Sequence, residues 1–379
     1  MQHTERPTGQ HEKQARHGPR CYLASRAILG ACSAKGDTMI LCADIGATKT
    51  LLGLARVSGS GRIDVVASQR YVAAEVGSFE SMLDTFLRDQ ALAPDQPLRA
   101  ACFGVAGPID DGKVTMTNLS WHLDAAVLSQ RLGGIPVRLA NDFEAAASGI
   151  DLLTGDQLLS LQAGQPMARA PQLVIGAGSG LGVAFRIWQP SAGGGQGGHY
   201  GVVTGEGGHF SFTPANDEQG RALMRLRPHV ARPVAEHFVS GPGLANFYTF
   251  LDTEDGGKVV DKAPHKVATA MDTTGLTGEE VFRRAMDDGE PRALHALHHF
   301  LLAYGVVAGD YALATLARGG VFLAGGIAQK LGQAMQDGRF LVGFNQKGPY
   351  TGLMATIPVH VVTAPDLGLL GAAAIGARI

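Results

Sequence analysis

From residue 39 onward, apolar runs alternate with short polar or glycine-rich turns. Residues 39–57 hold two apolar runs around the small-residue turn 44–49, which predicts a β-hairpin. Alternation over 62–72 predicts a third strand. Phe79, Met82, Leu83, Phe86 and Leu87 recur at i, i+3, i+4, i+7 and i+8, an amphipathic helix. Residues 99–107 form a buried strand that Pro108 closes, 114–121 a polar loop or short strand, and 123–132 a helix ended by Gly133 and Gly134. In 137–147 the apolar positions Val137, Leu139 and Ala140 give way to Asn141 and Asp142, and then to a helix-prone segment with three alanines. That pattern is a strand delivering a carboxylate to the mouth of a sheet, where ligands of open α/β sheets collect. Strand, glycine turn and strand recur over 172–187. A Pro/Gly/Ser loop follows at 189–198, then a strand over 202–212 that a glycine pair breaks. Helices are predicted over 219–225, 277–286 and 294–316, a buried strand with a glycine turn at 320–326, a late strand at 357–363 and a last helix at 367–377. No repeat of 20–50 residues is visible.

Length and composition narrow this α/β reading. A chain of 379 residues suggests two domains of about 100–200 residues each. With 45% hydrophobic and 17% charged residues it has material for a large core. A net charge of −2 gives no general attraction to nucleic acid. Cys21, Cys32, Cys42 and Cys102 form no CxxC pair, so neither a disulfide framework nor a zinc ribbon is expected. No apolar run reaches the ~18 residues of a membrane helix. Residues 1–38 lack apolar periodicity and are expected to be a disordered extension, with Met39 an alternative start. The ILGAC stretch at 28–32 resembles a lipoprotein cleavage site, but Arg26 leaves too short an apolar run before it.

Several motifs carry candidate chemistry. In the turn 44–49, Gly46 and Ala47 lack bulk, so backbone N–H groups can approach an anion. Thr48 adds a hydroxyl and Lys49 a charge, and Asp44 suits a hydrated Mg²⁺. An ordinary tight turn is the competing reading. Gly176, Gly178, Gly180 and Gly182, with Ser179, make a second loop able to wrap phosphate. It is not the dinucleotide fingerprint, because Leu181 stands where a glycine is needed, and the chain holds no P-loop. Gly325 and Gly326 form a third glycine turn, for a nucleotide or for helix packing. Glu206 and His209 flank a glycine pair, as metal ligands, an acid–base pair or a surface turn. Glu236 alone reads as a solvated helix residue, and Asn141 and Asp142 alone as helix caps. His295, His298 and His299 share a helix face, but an apolar helix without an acidic or cysteine partner nearby in the sequence disfavours zinc. No GxSxG elbow occurs.

Together, ADIGATKT, FGVAGPI followed by MTNLSW, LANDFEAAA, IGAGSGLG, GEGGHFSF, AEHFVSGPGL, FLAGGI and DLGLLG resemble bacterial glucokinases of the hexokinase, actin-like superfamily, in that family's order from residue 39 onward. The resemblance implies a two-lobed actin-like (ribonuclease H-like) α/β fold with the active site in the cleft. The small lobe would be 39–152 plus 360–379, and the large lobe 153–359. It implies a first phosphate turn of Ala43, Asp44, Ile45, Gly46, Ala47 and Thr48. The second would be Gly176, Gly178, Ser179, Gly180 and Gly182, with Gly325 and Gly326 on the adenosine side. Asn141, Asp142, Glu206, His209 and Glu236 would bind sugar, with Asn118 in a matching loop and Asp142 as general base. The implied reaction uses Mg-ATP and glucose, with Asp44 holding Mg²⁺ through water, in the cytoplasm, without nucleic acid or membrane, and compatibly with a homodimer. Rival readings are a kinase for another hexose or amino sugar, a sugar-sensing regulator and a filament-forming ATPase. Ala47 departs from a second glycine common in relatives. The related repressor/sugar-kinase branch is disfavoured, because no cysteine follows Cys102. The helix N-terminus beside Asp142 favours its ionised form, so a base oriented by its surroundings is expected, rather than one with a raised pKa.

Overall fold

The hairpin at the start of the apolar pattern begins the first of the two large sheets among the described residues. The computed structural model describes residues 37–46, 48–90, 97–116, 121–191, 197–251 and 276–379. Residues 1–36, Ala47, Asn118 and the middle of the 189–198 loop lie outside them. β1 (Thr38–Ile45) and β2 (Lys49–Val57) pair antiparallel, and β3 (Ile63–Val72) extends the hairpin. After α1 (Phe79–Gln90) the chain re-enters as β4 (Leu98–Val105), parallel to β1. A ribbon of β5 (Lys113–Thr115) and β6 (His122–Asp124) leads through α2 (Ala125–Arg131) to β7 (Val137–Asn141), parallel to β4. The sheet order is β3-β2-β1-β4-β7. Local chemistry sets these boundaries. Asp124 Oδ1 accepts the Ala126 N–H at 2.8 Å and so caps α2, while Gly133 and Gly134 stop it at φ +78° and +86°.

α3 (Asp142–Gly149) carries the chain into the second sheet. β8 (Leu158–Gln162), β9 (Gln172–Ala177), β10 (Leu181–Pro190) and β11 (Gly198–Gly205) are followed by α4 (Asp217–Leu226), α5 (Gly241–Phe250), α6 (Gly278–Met286) and α7 (Pro291–Thr315). Then come β12 (Gly320–Leu323), α8 (Gly325–Leu331), α9 (Arg339–Asn345), α10 (Thr351–Met354), β13 (Val359–Val362) and α11 (Leu367–Gly376). The order is β11-β10-β9-β12-β13-β8. β13 is bonded to β12 and β8, so the chain leaves this sheet after Val362, three residues beyond the expected lobe boundary at 359. β10 and β11 also shorten the expected 189–198 loop from both ends, since Gln189 and Pro190 pair with His199 and Gly198. β8 and α9 were not anticipated.

Each sheet has its own core. α1 packs on the first sheet through Phe79, Met82, Leu83 and Phe86, with Phe79 edge-on to Phe103 at 5.2 Å. Such an aromatic pair contributes about 0.5–1.5 kcal/mol beyond area burial. α11 covers the other face of that sheet with Leu369, Ala372, Ala373 and Ile375 against Ile40, Cys42, Ala100 and Cys102. Cys42 and Cys102 are buried, free and neighbours across β1 and β4. α7 is apolar on nearly every side because it runs through the core of the second lobe. Its Gly305 and Gly309 let the α9 backbone lie directly on it: a Cβ at Gly309 would sit 2.5 Å from Phe344 O. Behind α3, buried Arg186 on β10 donates to Gln172, pairs with Asp151 and lies 4.6 Å over the Tyr200 ring, tying the end of that crossing to the second sheet. Among the described residues no helix is long and apolar enough to cross a membrane.

Candidate active site

β7 is held in the first sheet by β4, and its buried Leu139 and Ala140 fix where the strand ends. Asn141 then takes the N-cap position: its Oδ1 accepts the N–H of Phe143 at 2.9 Å and of Glu144 at 3.2 Å. Asp142 Oδ1 also accepts the Phe143 N–H, at 2.9 Å. Capping therefore falls mainly to Asn141, and the Asp142 carboxylate is oriented through one oxygen while the other stays available.

The expectation of an Asp142 without a raised pKa is corrected. Burial raises its pKa first; the Phe143 N–H opposes this, and the charge of Glu206 raises it further. Desolvation outweighs the helix N-terminus because the carboxylate sits beneath two lobes rather than at a free helix end. Asp44, at the end of β1, is pushed up to about 6 by burial and then by Asp142, with Arg70 opposing. Its side chain makes no hydrogen bond among the described residues. Room for it exists because residue 368 is glycine: a Cβ there would lie 2.6 Å from Asp44 Oδ2. Asp44 and Asp142 from the first lobe and Glu206 from the second thus form one line of mutually repelling acids across the cleft.

The first turn is closed by the Gly46 N–H donating to Lys49 O at 3.0 Å, with Thr48 and Lys49 exposed. Ala43 and Ile45 are fully buried in β1, so only their backbone can face a ligand. Lys49 faces the second lobe. Glu279 on α6 has its carboxyl lowered first by its 2.6 Å contact with Lys330, and the Lys49 charge adds to this.

The second turn joins β9 and β10, closed by the Gly178 N–H donating to Gly180 O at 2.8 Å. Its glycines serve different ends. A Cβ on Gly178 meets nothing within 4 Å, and Ser179 is exposed, so the tip is open. Gly176 and Gly182 instead make room for the Phe143 ring, which packs across from the first lobe, and Gly180 makes room for Glu236. Glu236 Oε2 accepts the Leu181 N–H at 2.8 Å, so it is a buttress of this turn as well as a cleft acid and not a merely solvated residue. Gly325 follows β12 at φ +88°, a left-handed conformation suited to glycine, with its backbone against Ala177, and Gly326 is open.

Glu206 directly follows β11, its backbone O accepts the His209 N–H at 3.0 Å, and both side chains are exposed. His209 and Glu236 act electrostatically on His237, whose pKa is lowered chiefly by burial. The whole turn hangs from α7: Tyr311 donates to Gly207 O, and Tyr304 donates to Ile175 O at 3.2 Å and accepts from Ala177 N–H at 3.3 Å. Phe143, Gly368, Tyr304 and Tyr311 were not singled out from the sequence. An aromatic beside a candidate carboxylate, and a glycine at the start of the last helix, were the signals available.

Two α/β lobes with acids converging across the cleft define the actin-like class of sugar kinases. Residues 41–379 match the family model described as glucokinase. The chain is 36% identical over 351 residues to a glucokinase of Nostoc sp. (strain PCC 7120 / SAG 25.82 / UTEX 2576), covering 90% of this chain and 100% of that one. The crystal structure of a glucokinase from an Antarctic psychrotroph superposes with TM-score 0.75 at 28% identity, covering 90% of this chain and 99% of the other. A ROK family glucokinase from Streptomyces griseus, in complex with glucose and AMPPNP, shares the fold with TM-score 0.54 at 20% identity, over 90% and 100% of the two chains. The chain belongs to the glucokinase family.

Proposed function

We propose that this enzyme transfers the γ-phosphoryl group of ATP to the 6-hydroxyl of glucose, with Asp142 as general base. The observation that carries the reading is the line of acids formed by Asp44, Asp142 and Glu206, in which burial first and the neighbouring carboxylates second raise the pKa of both aspartates. Carboxylates that form no ion pair among the described residues suit hydroxyl donors and a hydrated metal ion.

Asn141, Glu206, His209 and Glu236 are read as binding the sugar. Asp142 Oδ2, the oxygen not engaged by the Phe143 N–H, accepts the proton of the 6-hydroxyl. The 6-oxygen forms its bond to the γ-phosphorus as the bond to the β–γ bridging oxygen breaks, and ADP departs. The open tips at Gly178, Ser179 and Gly326, with the turn from Gly46 to Thr48, are read as holding the nucleotide. Asp44 fits a magnesium ion held through water: it is half-buried, its carboxylate makes no hydrogen bond among the described residues, and Gly368 leaves it room. Bound there, the ion would neutralise phosphate charge; positioning and electrostatics supply most of the catalysis in phosphoryl transfer. Cytoplasmic ATP and free hexose suit this reading.

Asp142→Asn tests it in a coupled assay of ADP release. Turnover should fall about 10²–10⁴-fold, the usual worth of a general base, with a much smaller change in glucose KM. Near-wild-type turnover would remove Asp142 from the role. Rates on glucose, mannose, fructose and N-acetylglucosamine, measured together, separate glucose from another hexose or an amino sugar.

A further inference from the structure

The histidine face of α7 has a partner that the sequence hides. Glu218, on α4, places Oε1 2.5 Å from His295 Nε2 and Oε2 3.1 Å from His299 Nε2. His295 and His299 are one helical turn apart, their rings edge to face with centroids 4.7 Å apart. One donor atom from each of the three residues lies within 4.8 Å of the others. The disfavoured zinc reading rested on the lack of an acidic partner; the fold supplies one, 77 residues from His295.

We propose that Glu218, His295 and His299 form a binding site for a divalent transition-metal ion, Zn²⁺ by donor chemistry, that clamps α4 onto α7. Two histidines at i and i+4 with a glutamate from a second helix make a three-ligand set, with the fourth position open to solvent. Metal–ligand bonds of about 2.0–2.2 Å at tetrahedral angles put donor atoms about 3.4 Å apart. The two Glu218 contacts, one from each carboxylate oxygen, are 2.5 and 3.1 Å, and the three donor atoms lie within 4.8 Å of one another, so side-chain movements of about 1–1.5 Å bring them to that spacing. The ligands are also held in place. His299 is nine-tenths buried beside the Phe247 ring, its Nδ1 has no hydrogen-bond partner, and the ring meets polar atoms through Nε2. Gln219, next to Glu218, donates from Nε2 to His299 O at 3.0 Å and accepts the Ala215 N–H at 2.8 Å, pinning the start of α4 to α7. Two imidazoles and one carboxylate suit Zn²⁺, Co²⁺ or Ni²⁺, whereas Mg²⁺ prefers oxygen ligands in octahedral array, so the metal of Mg-ATP does not satisfy this site. From His299 to Tyr311, which holds the Gly207 turn, is 12 residues, or about 18 Å along the helix. The ion is therefore structural and takes no part in phosphoryl transfer.

The test uses the untagged full chain, stripped with a chelator and titrated with Co²⁺, and compares Glu218→Gln and His295→Gln. One equivalent should give the intense visible bands of four-coordinate Co²⁺, and Zn²⁺ should bleach them and raise Tm. Both variants should lose those bands and bind about a hundredfold more weakly or worse, while kcat in Mg-ATP stays within about twofold of the parent. Should His295→Gln fail to fold, Glu218→Gln decides, because its amide can still hydrogen-bond both rings. Absence of the bands in the parent overturns the proposal, as does their survival in Glu218→Gln, which would put the ion on others of the chain's 13 histidines.

Discussion

Gly182→Ala is the substitution that most directly probes how the cleft is assembled. A Cβ at position 182 would sit 2.5 Å from Phe143 Cζ and closer still to Cε2 and Cδ2, where carbon atoms in contact need about 3.5–4.0 Å. The ring must move by at least about 1 Å or the hairpin must lift; overpacking of this kind costs typically about 1–3 kcal/mol. The displacement does not stay local. The Phe143 N–H is hydrogen-bonded to both Asn141 Oδ1 and Asp142 Oδ1, so a shifted Phe143 drags the proposed base with it. A misplacement of about 1 Å at a reacting group costs on the order of 10²-fold in rate. Gly182→Ala should therefore lower Tm by a few degrees and kcat by about 10–100-fold, with a smaller change in glucose KM. Gly178→Ala, whose added methyl meets nothing within 4 Å, serves as the control and should keep Tm. Adding Phe143→Leu to Gly182→Ala should restore part of both losses, with a coupling of about 0.5–3 kcal/mol in a double-mutant cycle. Strictly additive effects on Tm and kcat, or wild-type turnover in Gly182→Ala, would refute the claim that the ring couples hairpin to base.

Two further predictions follow from the acids. The Asp44 pKa is pushed up to about 6 in the folded protein, from an ordinary value of 3.8. The folded state thus binds its proton more tightly, and the stability this gives, full below about pH 4, is lost as pH rises through 6, by about 3 kcal/mol in all. Asp44→Asn should accordingly melt higher than the parent at pH 8, converge with it near pH 4, and turn over poorly; equal melting at both pH values would discount the burial argument. Glu206→Gln should raise glucose KM more than ATP KM and lower the acid-side pKa of kcat/KM, because the charge that raises Asp142 is gone; the reverse ranking of the two KM values would reassign the Glu206 turn to nucleotide.

What the sequence made legible was whatever local pattern decides. The hairpin at β1–β2, the amphipathic α1 and the strand–carboxylate–helix passage at Asp142 all declare themselves within about a dozen residues, through alternation, helical period and short polar residues at a boundary. β8 escaped notice because it is a half-buried edge strand whose partner, β13, lies some 200 residues later. α9 is seven residues long, and its apolar positions make sense only against the glycines of α7. The same limit applies at the site. The helix N-terminus beside Asp142 could be seen from the chain, but the desolvation that overrides it depends on the second lobe closing above. Four alternate glycines read as one phosphate loop; in the fold only the tip at Gly178 is open, Gly182 is small because of Phe143, 39 residues earlier, and Gly176 because of Phe143 and the Ala324 backbone.

That division of labour gives the cleft its mechanical logic. Asp142 belongs to the first lobe by the pairing of β7 with β4, yet its neighbour Phe143 is seated in the second. Glu236, proposed to hold sugar, is bonded through Oε2 to the backbone of the hairpin proposed to hold phosphate. The hairpin therefore touches an acid on its sugar side and the support of the base on its other side. On the proposed roles, movement of the lobes places the nucleotide together with Asp142 and Glu236. In the proposed mechanism, ordering of that hairpin by one substrate leaves less to be ordered by the other, so sugar and nucleotide should favour each other's binding by the same factor. Water entering an open cleft would then meet a base not yet in register, which guards the phosphoryl group until glucose has arrived.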